Sequence, residues 1–306
     1  METNLIFVAG LPRSGTTMMQ NILDSHPNIY GGPEFDRIPN IINLYRKLLA
    51  SVENNRIDIY ASKDEVKTYI KNLILSLLTN VDTEKNIIYF SEKTPWNILV
   101  FKDLMSIFPE AKFIHILRNP LDVYASMKTV GQKAIEKNVN APDFTQNVNI
   151  ALNYMLTVYN LVQKLESENK TNFITFTYEN LVANLENESN ILSNFLDIEW
   201  DSKMLDFYKI EHPGEKNMIG AEVWYTKSMF YQKPKKNNKV DKRAIISSSE
   251  NLLLQSVLKD NEFLNSKGYL FSNNKQSLMD KVKTYKCRKN YYKNYFNNQM
   301  PFRLLN

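Results

Sequence analysis

Apolar residues along this chain fall into two spacings. Short unbroken apolar runs open or fill Leu5–Ala9, Asn86–Thr94, Phe113–Leu117 and Thr171–Thr177, and they read as strands. Between them apolar positions recur at helical spacing. Met18, Met19, Ile22 and Leu23 form one such face. Two more lie within Ile38–Leu78, with the polar stretch Glu53–Arg56 as the loop between them. Further helices are predicted from Leu121 onward, over Asp143–Leu165, over Glu188–Phe195 and over Ser247–Val257. From Glu211 the pattern loosens, and His212-Pro213-Gly214 and Gly220 mark a mobile segment carrying Trp224, Tyr225 and Phe230.

The junctions between strands and helices carry the chemistry. Leu5–Ala9 runs into Gly10-Leu-Pro-Arg13-Ser14-Gly15-Thr16-Thr17 and then a helix. Strand, Gly-bounded loop and helix make a phosphate-binding layout. Loop and helix-start N–H groups converge on an anion, and the positive end of the helix dipole favours the same charge. The nucleotide-kinase loop places a Lys after its second Gly. Here Thr16 follows Gly15, and the cation is Arg13. Phe113–Leu117 likewise runs into Arg118-Asn119-Pro120 and a helix bearing Ser126, so a charged fork and a hydroxyl stand within reach of one phosphate. Lys93 lies where a strand meets a loop, the edge at which open parallel sheets gather ligands; the alternative is an ordinary solvated Lys. Gly31-Gly32-Pro33 makes a constrained turn that delivers Glu34, either as a general base or as a cap of the following helix.

Composition narrows the setting. The chain has 306 residues, enough for one large α/β domain or two small ones. Its formal charge of +5 suits an anionic nucleotide without demanding one. Cys287 is the only cysteine, so no intrachain disulfide is available and a reducing, cytoplasmic setting is expected. The N-terminus enters the first strand without a leader pattern, and no apolar run is long enough to span a bilayer. His26, His115 and His212 are scattered, so no metal is expected.

The run P-R-S-G-T-T resembles the 5′-phosphosulfate loop of sulfotransferases, which use 3′-phosphoadenosine 5′-phosphosulfate (PAPS). Arg118-Asn-Pro followed by Ser126, eight residues after the Arg, resembles their 3′-phosphate motif. Pro12–Pro39 is locally similar to tyrosylprotein sulfotransferases, which carry D-x-H-P, a Gly-Glu-Glu-type turn and an Ile-Pro. The resemblance covers most of Leu5–Leu196. It implies a P-loop-like three-layer α/β fold, a central parallel sheet with helices on both faces, over residues 1–272. The basic aromatic stretch 273–306 is then a tail that packs on the domain or on a partner. No nucleic acid is expected.

The same resemblance assigns roles. Arg13, Ser14, Gly15, Thr16 and Thr17 would hold the 5′-phosphosulfate, and Arg118 and Ser126 the 3′-phosphate. Tyr178, in a Tyr-Glu-x-Leu run, would lie near the nucleotide or serve as a core aromatic. Glu34 would be the general base, with Lys93 and Arg13 offsetting charge on the transferring group. A late basic segment, Gln232–Arg243, would close over the nucleotide, and register through Lys233-Pro234 puts a contacting Lys at Lys242; the alternative is a solvated charge run. The family's Arg two residues after the base meets Asp36 here, with Arg37 adjacent. The implied reaction moves a sulfuryl group from PAPS to an acceptor hydroxyl of a carbohydrate, lipid, small metabolite or tyrosine, leaving 3′-phosphoadenosine 5′-phosphate (PAP). A P-loop small-molecule kinase and a non-catalytic nucleotide-binding module stand as alternatives.

Overall fold

Alternation within the first strand sets the layers. In β1 (Asn4–Gly10), Leu5, Phe7 and Ala9 face one apolar layer, and Ile6 and Val8 face the other. Side chains on a strand point alternately to its two faces, so a strand apolar at every position must be covered on both. The computed structural model describes residues 4–81, 86–169, 171–213, 223–225, 231–233, 242–271 and 278–293.

β1 lies at the centre of a five-stranded parallel sheet. It pairs with β3 (Tyr89–Lys93) on one side and β4 (Lys112–Leu117) on the other. The edges are β2 (Ile29–Gly31) and β5 (Phe173–Thr177), giving the order β2-β3-β1-β4-β5. β2, which the sequence did not predict, runs into the turn expected at Gly31-Gly32-Pro33. Three residues are too few to show a period, and β2 becomes a strand through its pairing with β3 and the hydrogen bond from the Gly31 N–H to the buried Asp24 carboxylate.

Helices cover both faces. On the Ile6–Val8 side lie α1 (Thr16–Asp24), α7 (Tyr178–Ala183) and α8 (Leu185–Leu196), followed by a 3-10 stretch, Ser202–Lys209. The larger core on the other side is built from α2 (Ile38–Glu53), α3 (Lys63–Thr79), α4 (Phe101–Ile107), α5 (Pro120–Glu136) and α6 (Val148–Glu168). α9 (Ser248–Leu258) and α10 (Glu262–Ser266) join that core. α3 and α9 each begin with a capping box, Ser62 with Glu65 and Ser247 with Glu250. α11 (Leu278–Tyr291) packs on α9, with Tyr291 fully buried and Arg288 paired with Asp260 at 2.8 Å. The fold is a P-loop-like three-layer α/β sandwich.

This strand order matters for function. β3 and β4 flank β1, so the loops leaving all three meet at the carboxyl edge of the sheet, where open parallel sheets bind ligands.

Candidate active site

The loop after β1 is shaped by two close approaches. A Cβ on Gly10 would lie 2.6 Å from the Ile116 carbonyl oxygen and 2.8 Å from Ser14 Oγ, so only glycine lets the chain pass β4 here. Arg13 (φ 75°) and Gly15 (φ 110°) are both left-handed. That alternation turns successive N–H groups inward, as in other anion-binding nests. Gly15 caps α1 without a side-chain acceptor, so the first-turn amides have no side-chain cap among the described residues. Ser14 is buried, and its Oγ has no hydrogen-bond partner among the described residues. Thr16 is buried beside it.

Two guanidiniums meet over this loop. The register Leu117↔Thr177 sets Arg118 beside Tyr178, and the Arg118 guanidinium carbon lies 4.3 Å from the Tyr178 ring centre. The same ring packs against Gly15. Arg118 Nη1 donates to the Arg13 carbonyl at 3.1 Å, and Arg118 Nε has no partner among the described residues. Arg13 Nε donates to Ser126 Oγ at 3.0 Å, and its Nη1 donates to the Trp224 carbonyl at 2.6 Å. Ser126 therefore reaches the cluster through Arg13, where the sequence paired it with Arg118. Burial, and then the neighbouring Arg118 charge, lower the Arg13 guanidinium from its ordinary value, while Tyr225 and Glu34 act the other way.

The third loop supplies an opposed charge pair. The register Val8↔Lys93 places Lys93 at the end of β3, level with the end of β1. Its side chain is 2% exposed, not solvated. Lys93 Nζ donates to Thr17 Oγ1 at 3.3 Å and to the Glu34 carboxylate. Glu34 is thus tied to the anion loop through Lys93 and does not cap α2, whose N-cap is Arg37 without a side-chain bond. Asp36 and Arg37 form an exposed pair at 3.2 Å beside it. Tyr225 lies on the same side, with Lys93 Nζ 5.8 Å from its ring centre.

Among the described residues, the parts that face this loop are donor-rich and short of acceptors. Two guanidiniums lie together, two buried polar atoms lack partners and one helix start lacks a cap. An anion bearing several oxygens fits those donors, as a phosphate group does.

The remaining expectations sort as follows. Lys242 begins the turn Lys242–Ile245, and its side chain lies outside the described residues. Its neighbour Arg243 pairs with Asp122 at 2.6 and 3.0 Å, which brings this step to the first turn of α5, one turn ahead of Ser126. Phe230 and residues 234–241 lie outside the described residues. His212, expected in a mobile segment, is instead buried. Its Nδ1 lies 2.8 Å from Asp24 Oδ2 and its Nε2 lies 2.8 Å from the Phe207 carbonyl. The Asp24 carboxylate at the end of α1 provides the anchor that local composition does not reveal. His26 is structural, bonded to the Glu199 carbonyl and the Asn28 amide.

Further side chains support the site. Gln20 joins Ser91 to the Gly32 carbonyl. Glu179 accepts from the Asn119 amide at 2.9 Å and from Tyr269 at 2.5 Å, which fixes the turn after Arg118. Glu92 is buried behind Lys93. Among the described residues there is no group of three or more His, Cys, Asp or Glu placed to hold a metal. Among them, too, no helix is long and apolar enough to cross a membrane.

Fold and site together define a phosphate-loop α/β protein that presents two arginines and a lysine–carboxylate pair at one sheet edge. The model of the sulfotransferase family matches residues 5–202, and the chain belongs to that family. It is 30% identical over 206 residues to protein-tyrosine sulfotransferase A of Caenorhabditis elegans, covering 65% of this chain and 51% of that protein. Similarity to protein-tyrosine sulfotransferase 1 of Danio rerio is 30% over 203 residues, covering 66% and 55%. The chain spans about half the length of these relatives. A sulfotransferase domain from the curacin biosynthetic pathway superposes with a TM-score of 0.51 at 13% identity, covering 88% of this chain and 99% of that domain, and so shares the fold.

Proposed function

We propose that this protein is a sulfotransferase that moves a sulfuryl group from PAPS to an acceptor hydroxyl. The observation that carries the reading is the Glu34–Lys93–Thr17 chain, which joins a carboxylate to the anion loop. PAPS supplies an activated sulfuryl group on a 5′-phosphate, together with a 3′-phosphate that adenosine triphosphate lacks. The loop from Arg13 through Ser14, Gly15, Thr16 and Thr17 holds the 5′-phosphosulfate. Arg118 and Ser126 hold the 3′-phosphate, with Tyr178 and Lys242 as further nucleotide contacts. Glu34 takes the proton of the attacking hydroxyl. Lys93 and Arg13 offset the negative charge that grows on the oxygen left behind, with no metal required.

The acceptor is a hydroxyl compound. A tyrosine phenol is the first class to assay, because the relatives are named for it; carbohydrate, lipid and small-metabolite hydroxyls follow. The lone Cys287 supports a reducing, cytoplasmic setting.

Calorimetric titration with PAP and with adenosine diphosphate, in wild type and Arg118→Ala, tests the donor assignment. Charge-assisted hydrogen bonds contribute about 1.5–3 kcal/mol each, so wild type is expected to prefer PAP by roughly 10- to 150-fold and the variant to lose that preference. Equal binding of the two nucleotides by wild type, or binding that requires Mg²⁺, overturns the reading.

A further inference from the structure

The segment bearing Glu34 has no regular structure between β2 and α2, and Asp36 within it is left-handed (φ 54°). A base must nevertheless be held to within about 0.5 Å of the position from which it can accept the proton. Lys93 restrains the carboxylate of Glu34, but a side-chain ion pair does not hold the backbone.

The backbone is held from β3. Glu92 lies opposite Phe7 in the register, at the end of the sheet face that packs on the larger apolar core, and it is 3% exposed. A carboxylate there is costly unless every oxygen is occupied. Glu92 Oε1 accepts from the Phe35 amide at 3.3 Å and from Thr94 Oγ1 at 2.6 Å. Its Oε2 accepts from Asn97 Nδ2. Thr94 Oγ1 accepts in turn from the Asp36 amide at 3.2 Å. The two amides that follow Glu34 are therefore both held by Glu92, one directly and one through Thr94. Lys93, the partner of the Glu34 side chain, lies between Glu92 and Thr94 in the chain. Backbone and side chain of the base are thus set by three consecutive residues of one strand end.

We propose that Glu92, acting with Thr94, is the positioning residue of Glu34, aligning the base with the anion loop without itself touching the reacting groups. This rests on the sulfotransferase reading for its kinetic consequence, but not for its structural one. The bland alternative is that Glu92 only stabilises the fold.

Three variants decide between them: Glu92→Ala, the milder Thr94→Val and Glu34→Gln. Amide hydrogen exchange at Phe35 and Asp36 is followed with PAP titration as the check on folding. Exchange at both amides is expected to rise at least about 10-fold in Glu92→Ala and at Asp36 in Thr94→Val. Unchanged exchange in both variants overturns the proposal, whether or not an acceptor is found. Transfer from radiolabelled PAPS is then measured on a panel of phenolic, sugar and primary-alcohol acceptors. Glu92→Ala is expected to lower kcat by roughly 100-fold with KM for PAPS and PAP affinity kept. In the Glu34→Gln background Glu92→Ala should lower the rate no further, since it acts through Glu34. A fully additive loss overturns the positioning role and leaves only a structural one. No transfer by wild type on any acceptor counts against the sulfotransferase reading, and the exchange data still decide the role of Glu92.

Discussion

Replacing Gly15 by Ala joins backbone strain and ligand affinity in one change. Gly15 has φ 110°, where side chains are rarely tolerated, and an added Cβ would lie 2.5 Å from Tyr178 Cδ2 and 3.2 Å from its Cε2. Carbon atoms pack at about 3.5–4.0 Å, so the ring must retreat by roughly 1 Å. The strained backbone costs about 1–3 kcal/mol. The ring also carries Arg118, whose guanidinium lies 4.3 Å from its centre. A displaced cation–π contact loses about 0.5–2 kcal/mol, which corresponds to roughly 2- to 30-fold in affinity for an anion held by Arg118. Urea denaturation and calorimetric PAP titration read the two effects separately. Gly15→Ala is expected to lose stability and PAP affinity together. Tyr178→Ala in the same background removes the collision but not the strain, so the double variant should be more stable than the sum of single losses predicts. Wild-type stability and affinity in Gly15→Ala, or strict additivity with Tyr178→Ala, would refute the reasoning.

Other changes probe the carboxylates. Glu34→Gln is expected to lower kcat by roughly 10²- to 10⁴-fold while PAP binding persists, and undiminished transfer would remove Glu34 from the role of base. Burial pushes the Glu92 carboxyl up to about 7, helped by the Glu34 charge and opposed by hydrogen bonds from Thr94 and Phe35 and by Lys93. The folded protein then keeps a proton that the unfolded chain has lost. This contribution to stability is largest below pH 4.5 and declines by about 3 kcal/mol as pH rises through 7. Denaturation at pH 5 and pH 8 should reveal that decline in wild type and a flatter profile in Glu92→Gln. His212→Ala leaves the buried Asp24 carboxylate without its ring partner and should cost on the order of 3 kcal/mol, measured as a lowered urea midpoint; an unchanged midpoint would mean that this contact adds no stability.

What was legible in the chain alone is local in sequence. The strand–loop–helix units at Gly10–Thr17 and at Arg118–Ser126 announce themselves because a phosphate loop needs its glycine, cation and hydroxyls within one turn of a helix. Buried strands apolar on both faces and helices with one apolar stripe are equally local signals, so the α/β alternation could be read residue by residue. Sequence also placed Glu34, after a constrained turn, and Lys93, at a strand end, as candidates, but could not say that they bond to one another. That contact spans 59 positions and depends on β3 pairing beside β1. The same holds for the other features that only tertiary structure decided. β2 exists through its neighbours. His212 is anchored by Asp24, 188 positions away. Ser126 meets Arg13, 113 positions away. Glu92 looks like any acidic residue at a strand end until the Phe35 amide arrives from 57 positions away. A short motif states which groups a site can offer. The order of strands in the sheet decides which of them meet, because hydrogen bonds and ion pairs form only over a few ångströms and the chain itself does not set those distances.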